Sequence, residues 1–109
     1  MATTYKVLSQ TKPSAATLTD SYTVPGATQA VISTITVANE SATATAFRIS
    51  VAVAGLADTA KQYIAYDVPI AGNTSQTMTL GLSLGAADVV RVYNTLATLS
   101  FNVYGAEIA

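Results

Sequence analysis

A side-chain alternation of period two constrains this chain more than any other feature. From Ala46 to Val53, the residues Phe47, Ile49, Val51 and Val53 fall on one side of an extended backbone, with Arg48, Ser50 and Ala52 on the other. A helix would scatter these four apolar groups around its axis, whereas a strand places them all on one face. A slip of one residue would turn all four into water, so the register of this strand is well specified. The same spacing recurs from Gln76 to Leu84, where Met78, Leu80, Leu82 and Leu84 oppose Thr77, Thr79 and Ser83. It recurs again where Leu99, Phe101 and Val103 alternate with Ser100, Asn102 and Tyr104.

Weaker segments share the period and the enrichment in Val, Ile, Thr and Tyr that suits a pleated surface. Tyr5 to Gln10 reads as a strand, ended by the turn Thr11-Lys12-Pro13-Ser14. Leu18 to Val24 follows, with Leu18, Tyr22 and Val24 on one face. Gln29 to Ala38 is expected to bury Val31, Ile35 and Val37 and to expose Thr34 and Thr36. After a loop or single helical turn over Gly55 to Ala60, Gln62 to Ile70 is expected to point Ile64, Tyr66 and Val68 inward. Asp88 to Tyr93 completes the set. Eight short strands separated by turns predict an all-β fold, an antiparallel β-sandwich of jelly-roll type, in one domain covering residues 1–109. Its core is expected to centre on Phe47, Ile49, Val51, Leu80, Leu82, Phe101 and Val103. The tetrapeptide Tyr22-Thr23-Val24-Pro25 recurs as Tyr66-Asp67-Val68-Pro69. The echo fits either two related halves or chance in a chain this rich in Tyr and Val.

The chain contains no histidine and no cysteine. Without imidazole or thiolate there is no Ser-His-Asp or Cys-His machinery, no disulfide and no usual transition-metal ligand set. No Ser-x-x-Lys spacing offers an alternative activated nucleophile. Asp58 and Asp67 are the nearest spaced carboxylates around a loop and strand, and turn capping or surface polarity explains them better than glycoside hydrolysis does. No acidic loop is organised for calcium and no Gly-rich loop for phosphate. Gly81 and Gly85 lie in a strand pattern, where glycine marks a bulge or a close backbone contact. The expectation is a protein that is not an enzyme and has no catalytic residues, metal or cofactor.

Five basic residues are scattered among six acidic ones. That leaves no basic patch to displace counterions from a phosphate backbone, so no nucleic acid is expected as a partner. No segment approaches the ~18 apolar residues of a membrane-spanning helix, and Met1 to Lys6 lacks the pattern of a signal peptide, so synthesis in the cytoplasm is expected. Charged residues make up only 10 % of the chain, against roughly 25 % in ordinary domains. Charge depletion is a mark of interface cores, so much of the surface is expected to be covered by neighbours in an assembly. Tyr63, Tyr93 and Tyr104 are the candidate interface anchors: alternation turns Tyr63 and Tyr104 outward, and tyrosine combines a large apolar body with a polar tip. Tyr63 and Tyr93 would also be the aromatics of a carbohydrate-binding module, were the chain one.

The stretches Tyr22-Thr23-Val24-Pro25, Ala30-Val31-Ile32-Ser33-Thr34-Ile35 and Thr43-Ala44-Thr45-Ala46-Phe47-Arg48-Ile49 carry a resemblance to small virion proteins of tailed bacteriophages. It continues in Tyr66-Asp67-Val68-Pro69-Ile70 and in Leu99-Ser100-Phe101-Asn102-Val103-Tyr104-Gly105, and so covers most of the chain. The resemblance implies a β-sandwich structural protein located in the virion. A capsid decoration or cement protein is the favoured role, with the chain itself as a homotrimer and the major capsid protein or another virion protein as partners. A tail, neck, baseplate or fibre module is the alternative.

Overall fold

The computed structural model describes residues 2–109. Each apolar alternation becomes a strand: β1 (Thr3–Thr11), β2 (Thr19–Thr23), β3 (Gln29–Asn39), β4 (Thr45–Ala52), β5 (Tyr63–Ile70), β6 (Ser75–Leu84), β7 (Val89–Asn94) and β8 (Leu99–Ile108). The strands form two sheets of order β1-β8-β3-β6 and β2-β7-β4-β5, with every neighbouring pair antiparallel. Successive strands change sheet at every connection except that from β4 to β5. This is the jelly-roll arrangement, two interleaved Greek keys closed into a sandwich. The first sheet has strands of 9 to 11 residues and is here called the long sheet; the second, with strands of 5 to 8, is the short sheet.

Facing sheets share no backbone hydrogen bonds, so apolar burial between them holds the two layers together. Ile32, Ile35, Val37, Phe101 and Val103 from the long sheet meet Phe47, Ile49, Val90 and Val92 from the short one, all at 0 % exposure. Phe47 and Phe101 meet edge to face across the middle, with ring centroids 6.1 Å apart. The expected core of Phe47, Ile49, Phe101 and Val103 is therefore present, with Val51, Leu80 and Leu82 packed at its margin.

Val53, expected inward with Phe47, Ile49 and Val51, falls instead in a 3-10 turn beyond the end of β4 and is 65 % exposed. Two further expectations fail for one physical reason. A bulge adds a residue to one strand of a pair and reverses which side every following residue faces. In β3 the register shifts between Ile32 and Thr34, so Ile35 and Val37 point inward while Val31 does not. Ala30 and Ile32 take the core positions, and Val31 stands 36 % exposed on the outer face of the long sheet. In β5 the register shifts twice, and Ala65 rather than Ile64 or Tyr66 packs inward; Ile64 is 45 % and Tyr66 58 % exposed. The Tyr-x-Val-Pro echo consequently has two environments: Tyr22 is buried and Tyr66 is not. The loop over Gly55 to Ala60 is flanked by two short 3-10 turns, Val53–Gly55 and Ala60–Gln62.

That loop lies against the outer face of the short sheet. Arg91 on β7 holds it, donating from Nη1 to the carbonyl of Leu56 and from Nη2 to that of Gly55 while Nε pairs with Asp20. Ser50, Ala52 and Val89 are buried on this sheet although they face away from the core. Gly55, at φ +69°, closes on Val89.

Lys6 and Glu107 from the long sheet and Tyr22 from the short sheet tie the two layers at the rim. The Tyr22 hydroxyl donates to Glu107 at 2.6 Å, and the Lys6 ammonium lies 2.9 Å from the same carboxylate. Lys6, then Tyr22, hold the Glu107 carboxyl below its usual range, while burial and then Glu107 push the Tyr22 phenol well above its own. A depressed carboxyl contributes stability that is complete above the ordinary carboxylate pKa of about 4.3 and disappears as pH falls through the folded value. A raised phenol contributes stability that is complete below about 10 and disappears as pH rises through its folded value. Urea melts from pH 7 down to pH 2 should therefore show a loss of stability below about pH 4 that is shallower in Glu107→Gln. An identical acid slope in that variant would remove Glu107 from the account.

Candidate functional site

The outer face of the short sheet carries a cluster built by the β5 bulges. Between the pairs Phe47–Val68 and Ile49–Ala65, the single residue Arg48 on β4 is opposed by both Tyr66 and Asp67 on β5. Asp67 adopts φ 51°, a left-handed conformation that aspartate tolerates better than most residues. One extra residue thus brings a ring and a carboxylate to the same guanidinium. Asp67 receives Arg48 Nε at 2.6 Å and Nη2 at 3.3 Å, a two-pronged pairing that keeps the guanidinium firmly charged. The Arg48 Cζ lies 4.2 Å from the centre of the Tyr66 ring and 4.4 Å from that of Tyr93, which sits directly opposite it on β7. Arg48 is therefore held between two rings while its charge is matched at its side.

Tyr63 extends the cluster. Its ring stands at 89° to that of Tyr66 with centroids 5.0 Å apart, and its hydroxyl donates to Asp58 Oδ2 at 2.9 Å. Burial first, and then Asp58, raise the Tyr63 phenol above its usual range, so it remains a proton donor to that carboxylate. Arg48, Asp58, Thr59, Ala60, Tyr63 and Tyr66 line a cleft of about 610 Å³.

The second surface lies on the opposite side of the sandwich. On the outer face of the long sheet, Tyr5, Ala106 and Val31 form one cross-strand row, with Val7 and Tyr104 beside it in the next. Tyr5 is 83 % exposed and Val7 48 %. With Thr3, Ser33 and Ile108 these residues border a shallow groove of about 600 Å³. Gly105 underlies it, because the β3 bulge drives the Val31 carbonyl so close to β8 that a Cβ on residue 105 would collide with it.

Tyr93 thus packs on Arg48 and Tyr63 joins the same cluster through Tyr66, while Tyr104 belongs to the other face. Sequence reasoning missed Tyr66, which the period-two reading turned inward. It also missed the roles of Asp58 and Asp67, which serve Tyr63 and Arg48 rather than turns. The one available signal was the outward position of Arg48 on β4, a cation that needs an anion beside it. No protein-family model, no curated protein and no solved structure matches the chain.

Proposed function

We propose that this chain is a non-enzymatic structural subunit of a tailed-bacteriophage virion, a decoration or cement protein that binds the outside of the head as a homotrimer. The outer face of the long sheet carries this reading. Tyr5, Val7, Val31 and Tyr104 present a continuous apolar surface on a chain with few charges, and its nearest ammonium, Lys6, is held by Glu107. A patch of this kind on a small domain marks a surface that another protein covers.

The edges of the sheets favour contact through that face. A regular edge strand invites another strand to pair with it, and each of the four edges here is spoiled. The registers of β1, β2, β5 and β6 are each broken by an irregularity, β2 is only five residues long, and β5 carries Pro69. Face-on packing of many copies suits a cement role, because multivalent attachment turns modest contacts into firm binding.

Copy number in purified particles tests the reading. Quantitative mass spectrometry is expected to find the chain in numbers comparable to the major capsid protein. Heads lacking it should release their DNA at a lower temperature in a dye-binding melt. A few copies per particle would assign it to the tail, neck, baseplate or fibre instead, and absence from the particle would end the virion reading.

A further inference from the structure

We propose that the cleft between Tyr63, Tyr66 and Asp58 binds a neutral saccharide. This inference stands apart from the virion reading and rests on the geometry of the short sheet alone.

An aromatic ring recognises a sugar by covering its C–H-rich face, and the sugar's hydroxyls then require polar partners around the ring. Tyr66 offers such a ring, 58 % exposed and already fixed in place. Arg48 stacks over it and the perpendicular Tyr63 ring closes one side, so the two rings form an open corner. A ring held in this way loses little rotational freedom when a ligand arrives, and pre-organisation of this kind is where weak sites gain affinity.

The polar partners are also in place. Tyr63 fixes the Asp58 carboxylate through Oδ2, leaving Oδ1 to accept a sugar hydroxyl. Arg48 uses Nε and Nη2 on Asp67, leaving Nη1 to donate. Thr59 adds a hydroxyl on the wall, and the volume of about 610 Å³ lies within the roughly 300–1,000 Å³ typical of small-ligand sites.

Charge selects the class of sugar. Asp67 already balances Arg48, so Asp58 is the unmatched charge among the lining side chains. A sialylated, uronic or sulfated glycan would bring a second negative charge to it. A cationic ligand would be repelled by the Arg48 guanidinium, 4.2 Å from the centre of the Tyr66 ring. A neutral pyranose, stacked where the half-exposed ring is not covered by Arg48, meets neither obstacle.

The test is a titration of the isotope-labelled full chain with maltotriose, N-acetylglucosamine trimer and, for comparison, sialyllactose, followed by backbone NMR. A neutral trisaccharide is expected to shift amides at Arg48, at residues 58–63 and at Tyr66, with millimolar affinity. Tyr66→Ala should weaken this by roughly tenfold or more and Asp58→Asn by about threefold, while Tyr104→Ala binds as the parent does. If a melt shows Tyr66→Ala unfolded, Asp58→Asn carries the comparison. No shift with either neutral sugar, shifts on the long sheet, tighter binding of sialyllactose, or undiminished binding in both cleft variants would overturn the proposal. Loss of self-association in Tyr66→Ala without sugar binding in the parent would make the cluster a protein contact, and would overturn it equally.

Discussion

Replacing Phe47 with alanine should lower the unfolding free energy by about 3–5 kcal/mol, the range for truncating a buried aromatic. Phe47 is the largest side chain that β4 contributes to the interior, and it is wholly buried. Its ring meets Phe101 of the other sheet edge to face, so the change removes both its own apolar burial and the contact joining the layers at their centre. Neighbouring backbone is held by hydrogen bonds within each sheet and cannot collapse into the space, so most of the cavity should remain. A urea melt is expected to show a lower midpoint with an unchanged slope. A loss under about 1 kcal/mol would mean that Phe47 is not at the centre of the sandwich.

Asn94→Ala should cost about 2–4 kcal/mol, through hydrogen bonding rather than packing. Asn94 ends β7, fully buried. Its Nδ2 donates to the carbonyls of Pro13 and Ser14, and its Oδ1 accepts from the Leu99 amide. One side chain therefore pins the β1–β2 connection to the start of β8. Alanine leaves the Leu99 amide and a carbonyl without partners in the interior, and an orphaned buried group costs about 1–3 kcal/mol. Asn94→Asp keeps the acceptor and loses both donors. Its destabilisation should be greater at pH 7 than at pH 4, because the charged carboxylate is the form that burial penalises. Equal stability of Asn94→Ala and the parent in urea at pH 7 would contradict this account.

The parts of the fold that were legible in the sequence are those in which alternation runs unbroken. β4, β6 and β8 keep period two through their apolar residues, and their inward faces follow directly, except at Val53, where β4 has already given way to a 3-10 turn. β3 and β5 do not, because an added residue at Ser33 and the two irregularities around Ile64 and Asp67 leave composition unchanged while reversing direction. A hydrophobic pattern records which residues are apolar, not where the hydrogen-bond ladder skips one. Period-two parity turns Val31, Ile64 and Tyr66 inward for that reason, and the structure places them on the surface.

The same limit governed the candidate site. Tyr63 and Arg48 could be placed outward by parity, but the meeting of Arg48 with Tyr66 and Tyr93 could not be seen. It depends on β4 lying between β7 and β5, and on one residue of β4 facing two of β5. Strand order is a long-range property, set by how the apolar faces pack, and no local motif announces it. The absence of His and Cys narrowed the expected chemistry but could not point to the two faces that remain.

The most direct measurement is the solution mass by light scattering, over a dilution series, of the parent chain and of Val31→Asp. Val31 lies on the apolar outer face and outside the core, so aspartate there should leave the fold intact while placing a charge in the proposed contact. The account predicts a parent species of about three times the 11.2 kDa chain mass that persists on dilution, and a monomer for the variant. A parent that is monomeric at every concentration, or a trimer that Val31→Asp leaves unchanged, would contradict it.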